Sequence, residues 1–418
     1  MTGQTVSHPL LIPAFRAYFI ARLCNTIAQT GMTLILGWQV YNLARETMDV
    51  STSAFLLGMI GLAQFVPLFL LTPLVGLVAD TIDRRRIAQA TTALLLFTTL
   101  YLGGLTWFEQ LSLPALFVAA VLIGVSRAFS GPAYSALAPN LVPRESLPTA
   151  IALSSSAWQV GSIGGPSLAG VLYAIHPDLA YGFSCGLFLI ALAAIGMIGT
   201  VPQPPVQTDQ RPLHRIAEGF RYVRQNRLVL STITLDLFAV LLAGSTALLP
   251  VFARDILQVG ADGLGLLAAS MGIGAAAVAI FLSFRPMKQE VGLKMLAAVV
   301  IFGLAVVTFG LSTNFWLSVG ALTVAGAADM ISVYVRQSLI QLHTPDEMRG
   351  RVSAVSQLTI SASNELGEAE SGLLAALIGP VGAVVVGGAG AIAITLIWAG
   401  LFPELRQART FDPPNKLV

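Results

Sequence analysis

The chain is 418 residues long, 55% hydrophobic and only 11% charged, with a mean hydropathy of +0.78 and a formal net charge of +2. Soluble domains carry about 25% charged residues, so a large water-facing surface is excluded, and no Lys/Arg run interleaved with aromatics supports nucleic-acid binding. Two cysteines, Cys24 and Cys185, lie inside apolar stretches and four histidines lie at ends or predicted loops, which excludes a disulfide framework and leaves no metal-ligand spacing.

Met1–Pro13 holds no Lys or Arg, so the charged start of a signal peptide is missing, and the apolar stretch that follows is read as a retained membrane helix. A spanning helix needs about 20 mostly apolar residues. Stretches broken by charge, Pro or Gly predict twelve of them, near 15–42, 53–78, 87–108, 113–137, 147–175, 180–201, 228–253, 263–284, 293–312, 315–342, 351–378 and 381–402. The longest polar connection opens with Pro202, Pro204 and Pro205, which suits an extended linker. It continues with Ile216, Phe220 and Val223 at helical spacing opposite Arg215, Arg221 and Arg224. That pattern fits an interfacial amphipathic helix or a solvated basic linker. The expected organisation is an amino-terminal six-helix bundle over 1–201, a cytoplasmic linker over 202–227, a second six-helix bundle over 228–402 and a cytoplasmic tail over 403–418.

Basic residues orient the chain, because cytoplasmic loops collect them. With both termini inside, the cytoplasmic segments hold 18 Lys and Arg and the outer loops hold 2, Arg45 and Arg254. The halves also echo one another. A shift of 202 residues lays Gly124 on Gly326, Pro143 on Pro345, Glu145 on Glu347, Gly165 on Gly367 and Gly170 on Gly372. A duplicated six-helix unit accounts for this, and such repeats place the substrate site near the midplane between halves. The same shift lays Arg127 on Asp329.

Eight ionisable residues sit within the predicted spans: Arg22, Arg127, Asp236, Asp329, Arg336, Glu365, Glu368 and Glu370. Each costs roughly 2.5–3.5 kcal/mol at a helix centre, and the sum of about 20–28 kcal/mol exceeds the roughly 5–15 kcal/mol that holds a fold together. They must pair or line a watery path, which points to a carrier of something polar or charged. Arg22, Arg127, Asp236, Asp329 and Arg336 are the candidate substrate-cavity residues. Asp236, Asp329, Glu365 and Glu368 are candidates for carrying a proton, since clustered carboxylates in low dielectric shift toward neutrality. The glutamates can instead serve structurally, for example by pairing with Arg336. Cavity charge admits an anion or a lipophilic cation equally.

Gly76-Leu-Val-Ala-Asp80-Thr-Ile-Asp-Arg84-Arg85-Arg resembles the loop signature of the major facilitator superfamily, with Thr81 in place of a basic residue and Asp83 in place of a glycine. That acidic substitution is similar to the branch holding the enterobactin (siderophore) exporters and drug-efflux proteins. In this resemblance Gly76, Asp80, Arg84 and Arg85 form a cytoplasmic gate. Gly161-Ser-Ile-Gly-Gly165-Pro166-Ser-Leu-Ala-Gly170 resembles the family's antiporter signature, in which Gly161, Gly165, Pro166 and Gly170 accompany export. The resemblance implies an all-α membrane protein of two pseudo-symmetric six-helix bundles, the major facilitator fold. It further implies a monomer in the bacterial inner membrane, surrounded by lipid, that exports small amphipathic molecules in exchange for protons, with proton-coupled uptake, lipid transport by the same fold or a transport-inactive sensor as the alternatives. No P-loop, nucleophile elbow or metal cluster is present, so no cofactor and no enzymatic activity are expected, and transport energy must come from an ion gradient. Gly272-Ile-Gly274 imitates a dinucleotide fingerprint but lies within an apolar span, without βαβ context.

Overall fold

In the computed structural model, residues 8–199 and 212–411 are described, and among them helices and turns are the only regular elements. A backbone in hydrocarbon has no water to bond, so long apolar runs must satisfy themselves as helices. The elements are α1 (Pro13–Ala44), α2 (Val50–Thr81), α3 (Arg84–Trp107), α4 (Leu113–Leu137), α5 (Leu147–Ile175), α6 (Pro177–Gly196) and α7 (Pro212–Gln225). They continue with α8 (Arg227–Leu242), the single turn α9 (Leu249–Val251), α10 (Gly260–Phe284), α11 (Val291–Leu311), α12 (Phe315–Leu342), α13 (Asp346–Leu401) and the short α14 (Pro403–Arg406). Ten helical segments among the described residues are long and apolar enough to cross a membrane. The 29-residue α5 is also longer than a crossing requires.

Local chemistry sets the helix ends. Asp49 precedes α2 and accepts from the Thr52 amide at 3.2 Å, and Asp83 caps α3 by accepting from the Arg85 amide at 2.9 Å. Asn226 and Asn314 cap α8 and α12 in the same way.

The sequence predicts one continuous helix over 228–253, and here the structure differs. Helix α8 stops at Leu242, and the chain passes through a 3-10 turn at Ser245–Leu248 and a π-helical turn at Phe252–Ile256. Gly244 and Pro250 flank the break, where a flexible residue and a missing donor loosen the helical ladder. The wider turn carries Asp255, which takes two guanidinium bonds from Arg45 at 3.3 and 3.2 Å.

The chain divides into two compact units. The first holds Met1–Leu43, Ala63–Thr208 and Gly260–Leu266, and the second holds Ala44–Leu62, Asp209–Val259 and Leu267–Val418. Within the first, Phe15, Tyr18, Tyr134, Leu137 and Ile195 anchor a fully buried cluster. Within the second, Leu235, Met295, Val335 and Leu339 do so, and Val223, Val229, Val352 and Val355 form another cluster.

Helix α13 must fold back on itself. Gly367 lies against Val240 and Leu241, and Gly387 lies against Leu242. Twenty residues of straight helix span about 30 Å, far more than separates those neighbours. The reversal is at Gly379, whose φ of 80° and ψ of 160° are open to glycine, with Pro380 following. The predicted pair of spans therefore meets at a reversal without a polar loop.

Helix α7 forms within the predicted linker. Part of its apolar stripe packs on protein rather than on headgroups: Val223 is buried in the cluster with Val352 and Val355, while Phe220 stays exposed. Glu218 pairs with Arg351 at 2.7 Å and the Tyr222 hydroxyl donates to the His343 carbonyl at 2.7 Å. Pro202, Pro204, Pro205 and Arg211 lie outside the described residues, as does the tail from 412 onward; of Arg215 and Ile216 only the helical backbone is described.

Candidate functional site

In the first unit, α1 carries Arg22 half-buried, its guanidinium 5.2 Å from the centre of the Tyr134 ring on α4. That ring is held from several sides. The Tyr18 hydroxyl donates to the Tyr134 carbonyl at 3.0 Å and shares a 2.6 Å bond with Ser154 Oγ. Thr92 donates to Asn25 Oδ1 at 3.2 Å and lies 3.4 Å from the Tyr134 hydroxyl. The Arg22 guanidinium meets the Tyr134 ring face here, with no carboxylate partner among the described residues, and its Nε is buried without a hydrogen-bond partner. Tyr18 and Arg22 share a face of α1 by their i, i+4 spacing, a signal legible in the sequence that the charge pattern alone passes over.

Arg127 on α4 donates to Gln64 Oε1 of α2 at 3.2 Å. At the α2–α3 turn, Arg84 donates to the Ala136 carbonyl at 3.1 Å and Arg85 to the Ile198 carbonyl at 2.5 Å. Both arginines thus meet carbonyls at the ends of α4 and α6, where the helix dipole is negative. Asp83, anomalous against the signature, is explained as the α3 cap that also pairs with Arg85 at 3.7 Å. The backbones of Gly76 and Asp80 belong to α2, and their side chains lie outside the described residues.

On α5, Gly161 and Gly165 face α1. Thr30 donates to the Gly161 carbonyl at 3.1 Å, and a Cβ added at Gly165 would stand 2.1 Å from Thr30 Oγ1. Small residues are what allow this approach. Pro166 sits inside α5, which remains helical through it, and Gly170 meets Gly265 at the start of α10.

In the second unit, Asp236 on α8 and Arg336 on α12 are both buried and form a direct ion pair. Arg336 is therefore committed to Asp236 rather than to the glutamates. Asp329 lies seven residues before Arg336 on α12, on the same face about 10 Å away. It is half-buried and has no hydrogen bond or ion pair among the described residues. On α13, Glu365 is buried and Glu368 lies over Gly61 of α2, where an added Cβ would come within 2.8 Å of its Oε2. Glu370 is half-buried.

Residues 4–414 match the family described as transmembrane secretion effector. The chain belongs to this family of major facilitator transporters. Similar proteins include the enterobactin exporter EntS of Citrobacter koseri, 29% identical over 96% of this chain and 94% of the relative. EntS of Shigella dysenteriae is 28% identical over the same shares. Among solved structures, a bacterial homolog of the human lysosomal transporter Spinster, inward-facing and occupied, superposes with a TM-score of 0.73 at 14% identity, covering 96% of this chain and 99% of that one. A D-xylose-proton symporter superposes with a TM-score of 0.70 at 12% identity, covering 94% and 97%. The major facilitator fold expected from the sequence is the fold of this transporter, a multi-pass membrane protein and not an enzyme.

Proposed function

We propose that this transporter is a proton-driven exporter of small amphipathic molecules, siderophore-like or drug-like, working by alternating access across twelve membrane crossings. The observation that carries the reading is Asp329: a carboxyl group in a membrane helix, without a fixed cation, two turns along α12 from an arginine already committed to Asp236. A carboxyl so placed can take up and release a proton as its surroundings change. Proton binding that differs between two conformations moves the population between them.

The similarity to enterobactin exporters and the α5 signature support the outward direction. The distribution of 18 basic residues against 2 supports cytoplasmic termini and the bacterial inner membrane. In such a cycle the two bundles, 1–201 and 228–402, alternate around the substrate, with Gly76, Asp80, Arg84 and Arg85 biasing the switch and Glu365 and Glu368 assisting proton movement. The protein works as a monomer in lipid.

Everted membrane vesicles test the reading. On energisation, wild type is expected to accumulate a catecholate siderophore or a lipophilic dye and to release protons on its addition. Asp329→Asn is expected to slow this at least about tenfold. Wild-type rates in that variant would remove Asp329 from coupling, and expulsion of substrate from energised vesicles would reverse the direction.

A further inference from the structure

We infer that Arg22, seated on the Tyr134 ring, receives an anionic group of the cargo: a planar pair of oxygens, as in a carboxylate or catecholate, carried on an aromatic or apolar body. The transporter reading above is presupposed, and the charge of the cargo is what this geometry adds.

Other arginines of the membrane helices and their turns are engaged within their own units. In the first unit Arg84 and Arg85 donate to helix-end carbonyls and Arg127 donates to Gln64, while in the second Arg336 pairs with Asp236. Arg22 has only the ring face, and its Nε is buried without a partner. A guanidinium remains charged at any physiological pH. An unpaired carboxyl such as Asp329 can discharge itself by taking up a proton, so it demands no cationic cargo. Arg22 has no such escape. The uncompensated charge that a ligand must answer is therefore positive.

The surroundings are built to hold that charge still. Tyr18 is fixed by Ser154 and the Tyr134 carbonyl, and Thr92 links the Tyr134 hydroxyl to Asn25. Phe15, Tyr18 and Tyr134 stand in sequence with ring centres 5.6 and 6.1 Å apart. Stacking orients the guanidinium, and its fork matches two coplanar anionic oxygens better than a spherical ion. A site ordered before binding loses less freedom when it binds.

The test uses the full chain purified in detergent, titrated with sodium salicylate, neutral salicylamide, benzylammonium chloride and sodium chloride at equal ionic strength. Thermal shift and intrinsic fluorescence report binding. Salicylate is expected to bind and stabilise, and the other three are not. Arg22→Gln is expected to raise the apparent Kd for salicylate at least about tenfold, and Arg22→Lys, which keeps the charge, to recover part of it. Binding that survives Arg22→Gln overturns the inference, as does Arg22→Lys performing no better than Arg22→Gln. Should the glutamine variant fail to fold, the wild-type ranking decides: salicylamide, benzylammonium or chloride matching salicylate overturns it. Failure of salicylate binding leaves the vesicle result for Asp329 standing. Loss of proton-linked transport with salicylate binding intact sinks the transport reading alone.

Discussion

Asp236 and Arg336 are each buried in a membrane helix, and each would be untenable without the other. Removing one partner strands a charge, at a cost of about 3–5 kcal/mol, whereas replacing both with apolar groups is close to neutral. Arg336→Leu is thus expected to lower stability in mixed-micelle denaturation by that amount, and Asp236→Leu/Arg336→Leu to regain most of it. A second expectation concerns Asp49, outside the spans. Hydrogen bonds from the Thr52 hydroxyl and then its amide hold the Asp49 carboxyl below the usual carboxylate range. A depressed folded-state value means that its anchoring of α2 is fully present above about pH 4 and fades as pH falls through the lower folded value. Hydrogen exchange at the Thr52 amide is expected to rise in Asp49→Ala at neutral pH, with the difference from wild type vanishing in strong acid. The charges themselves were legible in the sequence; their partners were not. Nothing local says that Arg336 meets Asp236 a hundred residues earlier, or that Arg22 rests on Tyr134 instead of an acid.

At the scale of elements, helix crossings depend on backbone approach. A Cβ at Gly326 would stand 1.9 Å from the Met271 carbonyl oxygen, and one at Gly274 1.9 Å from that of Thr323, so α10 and α12 cross almost without side chains between them. Gly326→Ala is expected to cost about 1–3 kcal/mol by overpacking. Gly186→Ala on α6, where an added Cβ meets nothing within 4 Å, is expected to stay within about 0.5 kcal/mol. The same denaturation measurement separates them. Helices such as α4, α5 and α12 could be read from the length of their apolar runs, because the bilayer sets that length. The π-turn at Phe252–Ile256 could not, since Arg254 and Asp255 mark only the end of an apolar run and the partner of Asp255 is Arg45, far off in sequence. Val223 on α7 was readable as apolar, but whether protein or lipid would cover it was not.

For the whole molecule, orientation follows from basic residues near the span ends. In a Cys24→Ser/Cys185→Ser background, a cysteine at Glu109 in the α3–α4 turn is expected to react with an impermeant maleimide in intact spheroplasts. One at Lys288, between α10 and α11, is expected to react only after lysis. The opposite pattern would invert the arrangement. The repeat is read from Pro143/Pro345 and Glu145/Glu347; Pro143 and Glu145 precede α5, whereas Pro345 stands just before α13 and Glu347 lies in its first turn. The reversal inside α13 bears on how the chain is made. Between Ile378 and Val381 only Gly379 and Pro380 intervene, so neither arm of α13 exposes a polar tether that could wait in water for the other. The two arms are therefore expected to enter the bilayer as one hairpin, and a stop codon placed just after Gly379 is expected to lower the amount of chain recovered in the membrane.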